Sequence, residues 1–284
     1  MAKLRTVAGI ALVIIGLAVL AGNRWSTEEP MSNLDKKWTF ASGELRNLQT
    51  KSDYETEIRF VKSSDGTNSV SITGQGTKQM RQAVSEAALS SGTLELDLRN
   101  QSWRWFDWLR FGSTDAKQQI VVALADGSPF LETLQVKSDS GSLAVYGAQV
   151  RKADLQIDSG SVTIRDLTAD RLNIRADSGS ITANGVHGNA EIHADSGSIK
   201  LENVTGPTRL SADSGSIKLY KEDTSSTDIK AESGSVYVHM PASFAGVYDV
   251  QADSGTVHAP ESKRQTGDVV KVRADSGSIR VEQD

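Results

Sequence analysis

From Leu134 to the C-terminus, apolar and polar residues alternate with period two in short runs, and each run is broken by the same polar corner. Leu172, Ile174 and Ala176 form one run with Asn173 and Arg175 between them; after Ser178-Gly179 the alternation resumes with Ile181, Thr182 and Ala183. Ile192, Ala194, Ile199 and Leu201 repeat the pattern, and so do Leu210, Ala212, Ile217 and Leu219. Such alternation predicts strands with one buried and one wetted face. A unit this small cannot bury its apolar face alone, whereas stacked copies share one core.

The corner is a variation on Asp-Ser-Gly-Ser-Ile and occurs eight times, at Asp139, Asp158, Asp177, Asp195, Asp213, Glu232, Asp253 and Asp275. The intervals are 19, 19, 18, 18, 19, 21 and 22 residues. The pattern predicts an all-β fold: a repetitive parallel β-solenoid, β-helix-like, with about eight coils of 18–22 residues. Gly supplies the positive φ of the turn, and the acid and Ser before it are placed to bond nearby backbone N–H groups. Ala precedes the acid in six copies, small enough for a narrowing interior; Ser138 and Ile157 are the departures. A second turn is looser, at Asn184-Gly185, Thr205-Gly206-Pro207 and residues 221–227. An antiparallel meander of hairpins is the alternative, but identical corners at near-constant intervals favour stacking.

Residues 38–130 read as a small β-rich cap ahead of the repeat region 131–284. Trp38-Thr39-Phe40 opens it, residues 54–61 alternate as a half-buried strand, and Ser64-Asp65-Gly66 turns the chain into a returning hairpin strand at 70–72. Met80, Val84 and Ala87 or Ala88 recur at helical spacing and predict one short helix within residues 77–89. Strict alternation returns over residues 93–98.

Residues 1–25 carry Lys3 and Arg5 and then an uncharged, mostly aliphatic run over residues 7–22. As a retained transmembrane helix, the run spans about 24 Å and ends at Trp25 in the interface. As a cleaved signal segment, it offers Val19-Leu20-Ala21 for processing. The anchor is the reading carried forward: a single pass at the cell membrane, N-terminus cytoplasmic and the C-terminal domain extracytoplasmic, with residues 26–37 as a polar linker.

Charge and composition remove several functions. A net charge of −5 without a basic block argues against a nucleic-acid partner. The absence of cysteine removes disulfides, thiol nucleophiles and Cys-ligated zinc. His187, His193, His239 and His258 share no metal-binding spacing, and no P-loop, dinucleotide fingerprint or nucleophile elbow occurs, so no catalytic residue and no cofactor is expected. The acid ladder suggests a cation-binding edge at Asp177, Asp195 and Asp213, because stacked carboxylates repel. The plainer reading has each carboxylate accepting backbone hydrogen bonds. Trp103, Trp105, Phe106, Trp108 and Phe111 crowd one insert. It reads first as a cap over an open solenoid end, with membrane contact or a protein partner as the other options.

The N-terminal apolar segment, the Trp38-Thr39-Phe40 opening and the repeated Ser-Gly-Ser corners resemble the bacterial putative-adhesin family of β-strand-repeat proteins. The family includes LiaG-like, membrane-anchored proteins encoded with cell-envelope stress systems. The resemblance covers residues 38–284; the insert around Trp105 has no counterpart in the family pattern. It implies a surface-exposed, membrane-tethered, non-enzymatic binding, adhesin-like or scaffold module, linked to the envelope-stress response. The implied partners are the membrane, through the N-terminal helix, and an envelope protein or cell-wall polymer. A polysaccharide-active enzyme on a β-helix scaffold is the rival from another class.

Overall fold

In the computed structural model, which describes residues 31–99 and 116–284, the alternating runs are strands of one continuous sheet. The N-terminal apolar run and the aromatic insert lie outside the described residues, among which no helix is long and apolar enough to cross a membrane. The first strands are β1 (Ser32–Phe40), β2 (Asn47–Ser52), β3 (Glu55–Lys62) and β4 (Asn68–Gly76), followed by helix α1 (Lys78–Glu86). Next come β5 (Leu89–Ser90), β6 (Thr93–Leu98), β7 (Lys117–Leu124), β8 (Leu131–Ser138) and β9 (Leu143–Tyr146). The repeats supply β10 (Gln149–Ser159), β11 (Val162–Ser178), β12 (Ile181–Ser196), β13 (Ile199–Thr205), β14 (Thr208–Ser214) and β15 (Ile217–Lys221). The last strands are β16 (Thr227–Ser233), β17 (Val236–Met240), β18 (Val247–Ser254), β19 (Val257–His258), β20 (Val269–Ser276) and β21 (Ile279–Gln283).

Strands running into the corner pair in parallel along one side of the stack, in the order β6, β2, β8, β10, β11, β12, β14, β16, β20, β18. Strands running out of it pair along another side, in the order β7, β3, β9, β11, β12, β13, β15, β17, β21, β19. The parallel solenoid is therefore present, but with ten layers among the described residues rather than about eight. The two additional layers, β2–β3 and β6–β7, fall within residues 38–130 and lack the Gly motif. One turns at Ser52-Asp53-Tyr54, and the other is joined through the aromatic insert.

The stacking order also departs from chain order at both ends. β2–β3 lies between β6–β7 and β8–β9, and β20–β21 lies between β16–β17 and β18–β19. The expected hairpin of residues 54–61 with 70–72 does not form, because β7 and β9 occupy the two edges of β3. β4 pairs antiparallel with β7 and β1 instead, and β1 already begins at Ser32. The short helix is where its pattern predicts it. Thr77 caps it by accepting from the Met80 N–H at 3.2 Å, and Met80 and Val84 are its buried residues. At its other end, Lys36 Nζ donates to the carbonyls of Val84 (2.9 Å) and Ser85 (2.7 Å), which suits the negative end of the helix dipole.

The looser second turn proves to be a corner plus a short third side. After the run out of the glycine corner, the chain bends through left-handed residues, Asp166 (φ 56), Gly185 (φ 72) and Asn203 (φ 55), in successive layers. Gly, Asp and Asn tolerate that region best. Leu167, Val186 and Val204 then stack as a buried column. In the next layer that column receives Lys221, because β15 spends one residue fewer between its register points. Its side chain is 0% exposed and its ammonium sits 2.7 Å from Asp223 Oδ1 and 2.7 Å from Ser225 Oγ. Burial pushes the Lys221 pKa down. Burial pulls Asp223 the other way, yet the Lys221, Gly206 N–H and Ser225 hydrogen bonds leave its carboxyl below the usual range.

The glycine corner is held by the main chain. Gly179 N–H donates to Ser196 O and Ile181 N–H to Ser198 O, both at 2.9 Å, and Gly197 and Ile199 repeat this with Ser214 and Ser216. The acid and Ser side chains of these corners are exposed; the satisfying role expected of them belongs to the next layer's carbonyls. The glycines approach each other face to face: a Cβ on Gly179 would lie 1.5 Å from Gly160 O, and one on Gly197 would lie 1.8 Å from Gly179 O.

Two substitutions test this account by urea unfolding. Gly179→Ala should cost more than about 4 kcal/mol or abolish folding, whereas Gly66→Ala, with nothing within 4 Å, should cost only the roughly 1–2 kcal/mol of left-handed strain. Equal losses at the two positions would show that close approach is not what the corner glycines serve. Lys221→Met should destabilise the chain by about 3 kcal/mol through the orphaned Asp223 carboxylate. Adding Asp223→Asn should recover most of that loss; no recovery would mean that the pair is not coupled.

Candidate functional site

Parallel register repeats each outward position in every layer, so side chains stack in columns at about 4.8 Å spacing. On the side running into the corner, the column two residues before the acid holds Lys137, Arg175, His193, Lys230 and Arg273. Two residues earlier still, Glu191, Arg209, Asp228 and Lys271 occupy successive layers and alternate in sign. Arg209 Nη2 lies 3.4 Å from Asp228 Oδ2. These four line a groove of about 560 Å³, with Pro207, Ser226 and Val269 along the same groove.

The acid ridge runs beside these columns. His193 Nε2 is 2.7 Å from Asp195 Oδ1, and its Nδ1 is 2.7 Å from Ser211 Oγ. An Nε2–H donating to the carboxylate leaves Nδ1 to accept the Ser211 hydroxyl proton. Ligand atoms of His193, Asp195 and Asp213 all lie within 4.8 Å of one another. Of the three acids expected at a cation edge, the structure gathers Asp195 and Asp213 and puts His193, not Asp177, beside them. The spacing of the four histidines gives no sign of this; in a strand, residues two apart share a face, which puts His193 beside Asp195. Neighbouring side chains already serve this ridge, His193 at Asp195 and Lys230 at Glu232, 3.3 Å away.

The side running out of the corner is aromatic as well as charged. Arg59 and Arg165 flank the Tyr146 ring at 4.4 and 5.9 Å from its centroid, a double cation–π arrangement. Tyr220 packs against Tyr237 (5.4 Å) and His239 (5.9 Å). The Tyr237 hydroxyl donates to Glu282, which raises its pKa to about 12. A second groove of about 280 Å³ is lined by Phe60, Val61 and Phe130. Val61 and Phe130 are 43% and 58% exposed, and neither stands out in the sequence because each sits at the end of a run or in a turn. Trp103, Trp105, Phe106, Trp108 and Phe111 belong to the connection between β6 and β7 and lie outside the described residues.

Stacked parallel coils with in-register outward columns define a β-solenoid repeat protein. The chain belongs to the Toastrack DUF4097 family, whose sequence model matches residues 46–282. Among solved structures it is similar to a putative adhesin from Bacteroides fragilis, at 15% identity and TM-score 0.51, covering 89% of this chain and 99% of that one. A putative adhesin from Parabacteroides distasonis aligns at 14% identity over 89% of this chain and 98% of that one, TM-score 0.32. A putative lipid binding protein from the same species aligns at 12% identity over 88% and 95%, TM-score 0.26. The Bacteroides fragilis protein shares the fold, and the family resemblance read from the repeats holds. No curated protein matches the chain.

If the ridge is served by its own neighbours, millimolar Ca²⁺ and a chelator should both leave the melting temperature of the chain unchanged. A rise with Ca²⁺ that the chelator reverses would establish the cation edge instead.

Proposed function

We propose that the protein is a non-enzymatic binding or scaffold module of the bacterial cell envelope. Residues 1–25 tether it to the cell membrane with the solenoid outside, and the alternating column of Glu191, Arg209, Asp228 and Lys271 is its principal contact surface. The column carries the reading: unlike charges alternate at about 4.8 Å, so like charges recur at about 10 Å. That spacing suits an extended partner bearing charge at regular intervals, such as a cell-wall polymer or a charged segment of an envelope protein. A sensor of envelope stress is one partner of the second kind. The arrangement favours binding over glycoside hydrolysis, because Glu191 and Asp228 share one column with Arg209 between them, and Asp228 is engaged by Arg209. Hydrolysis needs two carboxyl groups facing each other across the scissile bond.

The test is capture of purified cell-wall polymers and membrane extract by the full chain, repeated with Arg209→Glu/Lys271→Glu. Specific capture by the native chain that weakens by about tenfold, or about 1.4 kcal/mol, in the variant is the expected result. Enrichment of nothing by the native chain would sink the binding reading, and release of soluble sugar fragments would replace it with the enzyme.

A further inference from the structure

The two ends of the stack are finished differently. At the first, Leu94, Leu96, Ile120 and Val122 are fully buried, with α1 resting against β6, β1 and β4. At the second, β18 pairs only with β20 and β19 only with β21 among the described residues. Val250 and Ala252 continue the columns of buried Val272 and Ala274, yet both are only partly buried, and Val257, in register with Ile279, is 46% exposed. In the preceding layer Gly277 N–H and Ile279 N–H donate to Ser254 O and Thr256 O. Gly255 and Val257 repeat that register in the last layer, where their N–H groups face the place of a further strand. Segment 262–266 covers only the start of β18, with Arg264 N–H on Gly246 O (3.1 Å) and Tyr248 N–H on Ser262 Oγ (2.8 Å). Phe244 and Tyr248 fill part of this end, their rings 4.9 Å apart; the partly open core and the edge left bare beyond Tyr248 are association surfaces.

We propose that this end docks against the same end of a second copy, in a two-fold contact with the β18 strands antiparallel. Head-to-tail stacking is blocked, because α1 occupies the opposite end. A closed two-fold contact uses one patch on both copies, so each open core meets a core of the same outline. Charge selects the same arrangement. Antiparallel apposition carries the corner end of each β18, with exposed Asp253, to the starting end of the other, where Lys263 and Arg264 are exposed. The remaining acid of the strand, Asp249, is already held by Arg273 at 2.7 Å within its own copy. The side running into the corner then continues as one sheet across the contact.

Because the native chain has no cysteine, Gln251→Cys puts a sole thiol on the outward face of β18. In the detergent-solubilised full chain, a short bismaleimide should join two such copies, while Ser85→Cys on α1 should not cross-link. Sedimentation should show a dimer that Val250→Lys/Val257→Lys converts to monomer with an unchanged circular dichroism spectrum. Should that variant misfold, Asp253→Lys should raise the dimer dissociation constant at least several-fold, and Asp253→Lys/Lys263→Asp should restore it. A native chain that stays monomeric overturns the proposal. So does a dimer that cross-links through Ser85→Cys but not Gln251→Cys, or one indifferent to the charge swap.

Discussion

Everything in this molecule depends on how closely one backbone corner can sit upon the next. A strand pair tolerates many side chains, but a column of identical turns closes only if nothing projects between them. At Gly160, Gly179, Gly197 and Gly215 each turn lies directly against the carbonyl of its neighbour, and the freed N–H groups cross to the adjoining layer. The acid and serine around each glycine are thereby released from internal duty. They form an exposed ridge, and the lysine, arginine and histidine two residues upstream sit beside it.

That rigidity gives the surface its chemistry. Once the corners are in register, no outward side chain can drift relative to its counterparts, so sequence variation among the repeats becomes a spatial pattern of charge. The alternation of Glu191, Arg209, Asp228 and Lys271 exists only because Asp228 and Lys271, far apart in the chain, are made neighbours by the inserted last coil. The interior follows the same logic with mainly apolar residues, and it accommodates a lysine. Where β15 is a residue short, Lys221 enters the apolar column and is accepted because Asp223, Ser225 and the Gly206 carbonyl meet its ammonium.

Much of this is legible in the sequence. Eight copies of one corner, with period-two alternation on either side, identify stacked parallel coils, and Met80 with Val84 identifies the helix. The layers β2–β3 and β6–β7 were hidden because their corners do not carry glycine, so they read as a separate cap. The exchanged order at the two ends was hidden for a deeper reason: a coil inserted between two others has the same alternation and the same corner as one laid on top. Among the site residues, Asp195 and Asp213 could be found from the motif, while His193 could be found only by counting along a strand. The open end at Val250 and Val257 is invisible in sequence, since those residues match the buried positions of every other repeat.

The exchanged layers bear on how the chain assembles during synthesis. Most neighbouring coils are about one repeat apart in sequence, so their contacts can form soon after the residues emerge from the ribosome. β18–β19 is different, because among the described residues both its strands pair only with β20–β21, which is made after it. Until β20–β21 has been made, β16–β17 presents an uncovered apolar layer and β18–β19 lacks its native neighbour. The coil β20–β21 is thus the keystone of that end, and a nascent chain remains exposed to misassociation until that coil arrives.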